Sequence, residues 1–248
     1  MTATAVIDNI ILGFNRLSII DISPLSMQPM KYFELTLVMN GEIYNYKELR
    51  DHLIALGHTF RSKGDAEVFA AAIHQWGFEV ALQKVAGMFA IVAYNKNTRQ
   101  LYIARDRLGI KPLFYLFNSN DQLIIGSEVA SLIPFISSKT KYDLQSITQF
   151  IMNGVMQLDC NTFYTDVKRS PPGKFGIIKP DSYDKKIFFS SYWELPHIND
   201  TKKLIPSYQS VKKTFDDVMH QHLCCDVQTG LALSGGLDST IVTAVVVP

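Results

Sequence analysis

Residues 88–93 read Met-Phe-Ala-Ile-Val-Ala, an apolar run without alternation. Such a run fits a strand covered on both faces. Residues 94–97, Tyr-Asn-Lys-Asn, read as a turn into a second strand at 101–104, giving a hairpin. Further strand-like runs fall at residues 10–14, 33–39 and 123–126. Between 39 and 88 the period changes. Leu49, Leu53 and Leu56 recur on one helical face, with Asn45 as N-cap, Glu48 at capping-box spacing and Gly57 as the stop. A second helix begins at Asp65, presents Val68, Phe69, Ala72, Ile73 and Trp76, and ends at Gly77. The leucines and Trp76 are assigned to the core. Blocks of strands and helices with hairpin connections predict an α+β protein, helices packed on antiparallel sheets.

A third helix is predicted around residues 144–152, followed by the loop Ser-Pro-Pro-Gly-Lys at 170–174 and a short strand. The polar stretch 197–203 reads as a linker, placing a domain boundary near 196–206. Beyond it, Val211, Phe215, Val218, Met219 and His222 repeat at helical spacing. That helix leads to a predicted strand at 229–233 and then to Ser-Gly-Gly-Leu-Asp-Ser at 234–239. Two glycines after a strand let the backbone bring N–H groups against an anion, and a helix N-terminus would add its positive end. No lysine follows the glycines, so this is not a GxxxxGK[ST] loop. Residues 239–247 are rich in β-branched side chains and are expected not to hold a helix without packing.

Composition narrows the class. With 248 residues, 47% hydrophobic, the chain can bury a large core. A net charge of +1 without a basic stripe argues against a nucleic-acid partner, and no apolar stretch reaches membrane-span length. Cys160, Cys224 and Cys225 are odd in number and two are adjacent, which suits a reducing, cytoplasmic setting rather than a disulfide framework. No metal-ligand spacing is visible.

Four strings in the first half carry chemistry. Arg16, in Phe-Asn-Arg-Leu-Ser-Ile-Ile, is suited to bidentate capture of a carboxylate, or to a surface ion pair. Asn40-Gly41, followed by Glu42, could aim two donors at one oxygen as an oxyanion hole, or could make a hairpin turn. Asp65 could receive an ammonium group, or serve as a helix cap. Residues 105–114, Arg-Asp-Arg-Leu-Gly-Ile-Lys-Pro-Leu-Phe, form a loop shaped by Gly109 and Pro112.

In this order, followed by Ser-Glu-Val-Ala-Ser-Leu at 127–132 and by the Ser-Gly-Gly-Leu-Asp-Ser turn, these strings closely resemble the glutamine-hydrolysing asparagine synthetases. The resemblance implies an αββα sandwich of the N-terminal nucleophile hydrolase type, then the first strand and phosphate loop of an α/β synthetase domain. It implies glutamine binding by Arg16, Leu17, Ser18, Ile19, Ile20, Asn40, Gly41, Glu42 and Asp65, with Asn40 and Gly41 as the oxyanion hole. The turn resembles a pyrophosphatase-type loop, which implies ATP contacts from Leu233, Ser234, Gly235, Gly236, Asp238 and Ser239. In the family, glutamine-derived ammonia is transferred to aspartate activated by ATP and Mg²⁺. The family's nucleophile is an N-terminal cysteine; here Thr2 follows Met1, so no catalytic residue is assigned and Thr2 stands as the alternative nucleophile.

The expected organisation is a glutaminase-like domain over 1–196 lacking its N-terminal strand and nucleophile, a linker over 197–206, and an incomplete ATP-binding domain over 207–248. Activity then needs other segments to complete it, and the expected partners are a separately encoded synthetase segment or a second copy in a homodimer. Two other readings remain: a pseudo-amidotransferase that binds glutamine or a partner protein, and a synthetase with a different acceptor, similar to β-lactam synthetases.

Overall fold

The computed structural model describes residues 1–154, 160–180, 186–196 and 206–246. Its centre is a six-stranded sheet built from β3 (Met30–Tyr32), β4 (Leu35–Ile43), β5 (Gly87–Asn95), β6 (Gln100–Arg105), β10 (Lys174–Ile178) and β11 (Phe189–Ser191). The strand order is β11-β10-β6-β5-β4-β3 and every pairing is antiparallel. The expected hairpin is β5–β6, with the Asn95 side chain accepting from the N–H groups of Asn97 and Thr98 to fix the turn.

β5 is buried on both faces, as its unbroken apolar run requires. Phe89, Ile91 and Ala93 point to one core, where α1 (Tyr46–Ala55), α2 (Asp65–Trp76) and α3 (Phe78–Lys84) contribute Leu53, Phe69 and Leu82. Ala90, Val92 and Tyr94 point the other way. There they meet Leu12 from the hairpin β1 (Thr2–Ile7) and β2 (Ile10–Asn15), and Tyr115 and Ile125 from β7 (Phe114–Phe117) and β8 (Leu123–Gly126). β9 (Lys168–Arg169) completes a three-stranded sheet in the order β8-β7-β9. The short α4 (Val129–Leu132) covers its outer face, with Leu132 packed on Leu116 and Val167. The layers therefore run helix, sheet, sheet, helix, within the α+β class the sequence indicated. α5 (Leu144–Asn153) is capped by Asp143, whose side chain accepts from Ser146 N–H.

Several local expectations are corrected. β1 is an additional strand; its residues alternate between exposed and half-buried and none is fully buried, so no strong apolar pattern marks it. Asn45 precedes α1 without capping it: its amide bridges the Lys84 carbonyl at the end of α3 and the Ala86 N–H just before β5. Asp65 is not the cap of α2 but its first residue, after Gly64. Leu56 lies beyond the last turn of α1 and is 47% exposed, outside the core. Trp76 packs only on the rim of the core, under the Lys84 ammonium.

The linker expected at 197–206 lies, up to residue 205, outside the described residues. α6 (Tyr208–His222) forms as expected and is capped by Ser207, but its apolar positions Val211 and Val218 remain exposed. Residues 229–233 are not a strand; among the described residues no β-strand lies beside them to supply the ladder. α7 (Leu237–Val246) is helical, with α6 supplying packing of the kind residues 239–247 were expected to need. Thr240 and Thr243 hydroxyls bond back to the Gly236 and Ser239 carbonyls, and the helix packs against α6.

Candidate functional site

A cleft of about 580 Å³ opens between the β2 end of the hairpin, the middle of β4 and the start of α2. Its walls carry Arg16, Leu17, Ile19 and Ile20 from the loop after β2, Asn40, Gly41 and Glu42 from β4, and Asp65 from α2. Eight of the nine residues assigned to one ligand from sequence thus share a single cavity, although they come from three separate stretches. Ser18 is not among the lining residues.

Asn40-Gly41 is not a hairpin turn. Both residues lie within β4, opposite Ala90 and Phe89 of β5. Gly41 has φ of 138°, and a Cβ there would sit 2.0 Å from the Met88 carbonyl oxygen. Only glycine fits this close crossing of the two strands. Just before it, Met39 is held by the buried Gln28, whose side-chain amide exchanges two hydrogen bonds with the Met39 backbone. The Asn40 amide makes no hydrogen bond to the protein among the described residues and faces the cleft. Gln28 was not read from the sequence, since an isolated glutamine far along the chain from its partner gives no signal.

Asp65 stands at the first turn of α2, its two oxygens accepting from Ile43 N–H and Ala66 N–H, both at 2.9 Å. Burial outweighs these hydrogen bonds and the helix start, pushing its carboxyl up to about 6. Glu42 is raised as well, again by burial, with Lys111 opposing. Lys111, Glu128 and Ser127 join the lining from two sequence strings that carried no assigned site residue. Both signs of charge therefore meet in the cleft: Arg16 and Lys111 against Glu42, Asp65 and Glu128.

Arg16 differs from expectation. Its guanidinium is wrapped by the following turn, donating to the carbonyls of Ser23 at 2.6 Å, Ile20 at 3.4 Å and Asp21. It shapes the loop as well as charging the wall. Thr2 lies opposite Asn15 in the hairpin, its hydroxyl donating to the Asn15 side chain at 2.8 Å.

The Ser-Gly-Gly turn lies apart from this cleft. Gly235 has φ of 80°, Asp238 lies in the first turn of α7, and Ser234 and Ser239 hydroxyls meet at 3.0 Å. Leu233 and Leu237 are 60% and 75% exposed, so the turn is formed but uncovered among the described residues.

The chain matches the family of the glutamine amidotransferase domain over residues 2–193, and that of asparagine synthase over residues 210–247. It is 37% identical over 238 residues to asparagine synthetase [glutamine-hydrolyzing] 1 of Bacillus subtilis, covering 94% of this chain and 36% of that protein. Asparagine synthetase B [glutamine-hydrolyzing] of Escherichia coli is 29% identical over 240 residues, covering 96% and 37%. The chain thus spans little more than a third of the length of these relatives. Among solved structures, glutamine phosphoribosylpyrophosphate amidotransferase of Bacillus subtilis, complexed with ADP and GMP, aligns with a TM-score of 0.51 at 20% identity. That alignment covers 73% of this chain and 34% of the other, and it shows a shared fold. From residue 2 to residue 193, this chain belongs to the glutamine amidotransferase domain family.

Proposed function

We propose that this chain supplies the glutamine-recognition unit of a glutamine-hydrolysing asparagine synthetase, in which ammonia from glutamine is transferred to ATP-activated aspartate. Residues 1–196 form the amidotransferase unit and 207–248 the opening of the ATP-binding unit in this reading. The observation that carries it is the convergence of the Arg16 loop, Asn40-Gly41-Glu42 and Asp65 on one cleft lined by both signs of charge.

An α-amino acid brings an ammonium, a carboxylate and, in glutamine, a neutral amide. Asp65, buried and anchored by two backbone N–H groups, takes the ammonium. The loop 16–20 takes the carboxylate, through backbone groups and the positive charge of Arg16. Asn40 and Gly41 hold the side-chain amide oxygen, where negative charge would develop during attack. Glu42 lines the same end. No nucleophile is assigned.

The Ser-Gly-Gly turn suits a polyphosphate: a bent backbone, two hydroxyls and a helix start that favours anions. Ser234, Gly235, Gly236, Asp238 and Ser239 would hold ATP, with Leu233 beside it. ATP would supply the adenylate that activates aspartate. Among the described residues no three His, Cys, Asp or Glu side chains gather as a metal site.

Calorimetric titration of the chain with L-glutamine tests the reading. Saturable heat with L-glutamine, lost in Asn40→Ala and absent with D-glutamine, supports it; no heat with L-glutamine overturns it. Ammonia release measured in the same samples separates recognition from hydrolysis.

A further inference from the structure

Asp21 sits at the bend of the loop that forms one wall of the cleft, with φ of 49°. That left-handed conformation is unfavourable for a residue with a Cβ and persists only where the surroundings over-determine it. Here every polar group of Asp21 is engaged. Its carbonyl accepts from Arg16, and its carboxylate accepts from Ser26 Oγ and from the N–H groups of Ser23 and Lys63. Burial raises that carboxyl, but these hydrogen bonds outweigh it and hold it well below the usual range.

The last group, Asp21 N–H, donates to the carboxylate of Asp226 at 2.8 Å, across 205 residues of chain. Asp226 N–H in turn donates to the Ile19 carbonyl at 2.9 Å. Two bonds therefore fasten the segment after α6 to the backbone at Ile19 and Asp21. The end of α6 and this segment are each seated at one further point. The His222 ring lies 4.3 Å from that of Tyr44, and Cys224 packs against the core. Only residues 227–233 separate Asp226 from the Ser-Gly-Gly turn.

We propose that Asp226 is a positioning residue for the cleft, the point where the lead-in to the Ser-Gly-Gly turn holds the 16–23 loop in its ligand-gripping form. It touches no ligand. It acts through Ile19 and Asp21, on which the placement of Arg16 and Ile20 depends. The role deepens the glutamine reading and rests on it. Because binding linkage is reciprocal, a ligand that needs the loop in this form must also hold residues 224–228 in place. Occupancy of the cleft is thereby communicated to the segment that carries the phosphate turn.

The test uses the full chain as wild type, Asp226→Ala, Asp226→Asn and Lys212→Ala, the last a control on the exposed face of α6. L-glutamine affinity is measured by calorimetry and backbone amide exchange by mass spectrometry. Asp226→Ala is expected to weaken glutamine between about threefold and tenfold, the range for losing one ordinary hydrogen bond. Exchange is expected to accelerate at residues 17–23 and not at 88–94. Asp226→Asn, which keeps an acceptor oxygen, should restore most of the affinity, and Lys212→Ala should change nothing. Saturating glutamine should slow exchange at 224–228 in the wild type and not in Asp226→Ala. Unchanged affinity and exchange in Asp226→Ala would overturn the proposal. So would faster exchange throughout β4, β5 and β6, which marks a general support of the fold. If the wild type itself gives no glutamine heat, the glutamine reading fails. The positioning role is then decided by exchange alone: acceleration confined to 17–23 keeps it, and none ends it.

Discussion

At the residue scale the cleft depends on two positions whose chemistry pulls in opposite directions. Gly41 must be glycine because a Cβ would overlap the Met88 carbonyl, so Gly41→Ala is expected to cost about 2–4 kcal/mol, read from the urea midpoint. Asp65 is buried for recognition at the expense of stability. Its folded carboxyl titrates near 6, above the ordinary value of 3.8, so its neutral form is the one the fold favours. The stability this gives is complete below about 3.8 and is lost as pH rises through about 6, a difference of about 3 kcal/mol. Glutamine binding runs the other way, because its ammonium needs the carboxylate. Affinity should rise about tenfold per pH unit up to about 6 and level off above it. Glutaramic acid, which lacks the α-amine, should show no such slope; an equal slope for both ligands would remove Asp65 from the ammonium site.

Elements were legible where local pattern and burial agree. β5 announces itself by six apolar residues because it is covered on both faces, and α2 by Val68, Phe69, Ala72 and Ile73, which all prove buried. Elements decided by distant partners were not. Asn-Gly, the commonest two-residue hairpin turn, lies inside β4 because Gly87 faces Ile43 across the sheet and lets β4 and β5 cross closely there and at Gly41. β1 offers only Val6 and Ile7 as large apolar side chains and buries no face fully; Asp8-Asn9 between Ile7 and Ile10, with Asp8 at φ of 53°, was the available hairpin signal. Asn45 is the sharpest case. Its spacing from Glu48 imitates a capping box, yet its amide ties the start of α1 to the α3–β5 connection at Lys84 and Ala86. A cap tolerates Asn→Asp without loss, whereas this bridge needs the Nδ2 donor for the Lys84 carbonyl. Asn45→Asp is therefore expected to lose about 1 kcal/mol in urea unfolding; an unchanged or higher midpoint would restore the capping role.

Across the whole molecule the two candidate binding elements are unequally built. The cleft draws residues from β2, β4, α2 and the loops at 111 and 126–131, so a ligand there meets groups already ordered by the sheet. The Ser-Gly-Gly turn offers its own backbone, two hydroxyls and the start of α7, with Leu233 and Leu237 exposed beside it. A helix start contributes at most about 2 kcal/mol toward an anion, and each hydroxyl about 1. That gross total of about 4 kcal/mol is matched by the entropy of immobilising a ligand, about 4 kcal/mol or more. Millimolar affinity requires about 4 kcal/mol net. Mg-ATP titrated into the chain should therefore show a dissociation constant above about 1 mM, while L-glutamine binds more tightly in the same buffer. Submillimolar ATP binding that disappears in Ser234→Ala would mean that residues 207–246 already form a working nucleotide site, and would reverse this ranking.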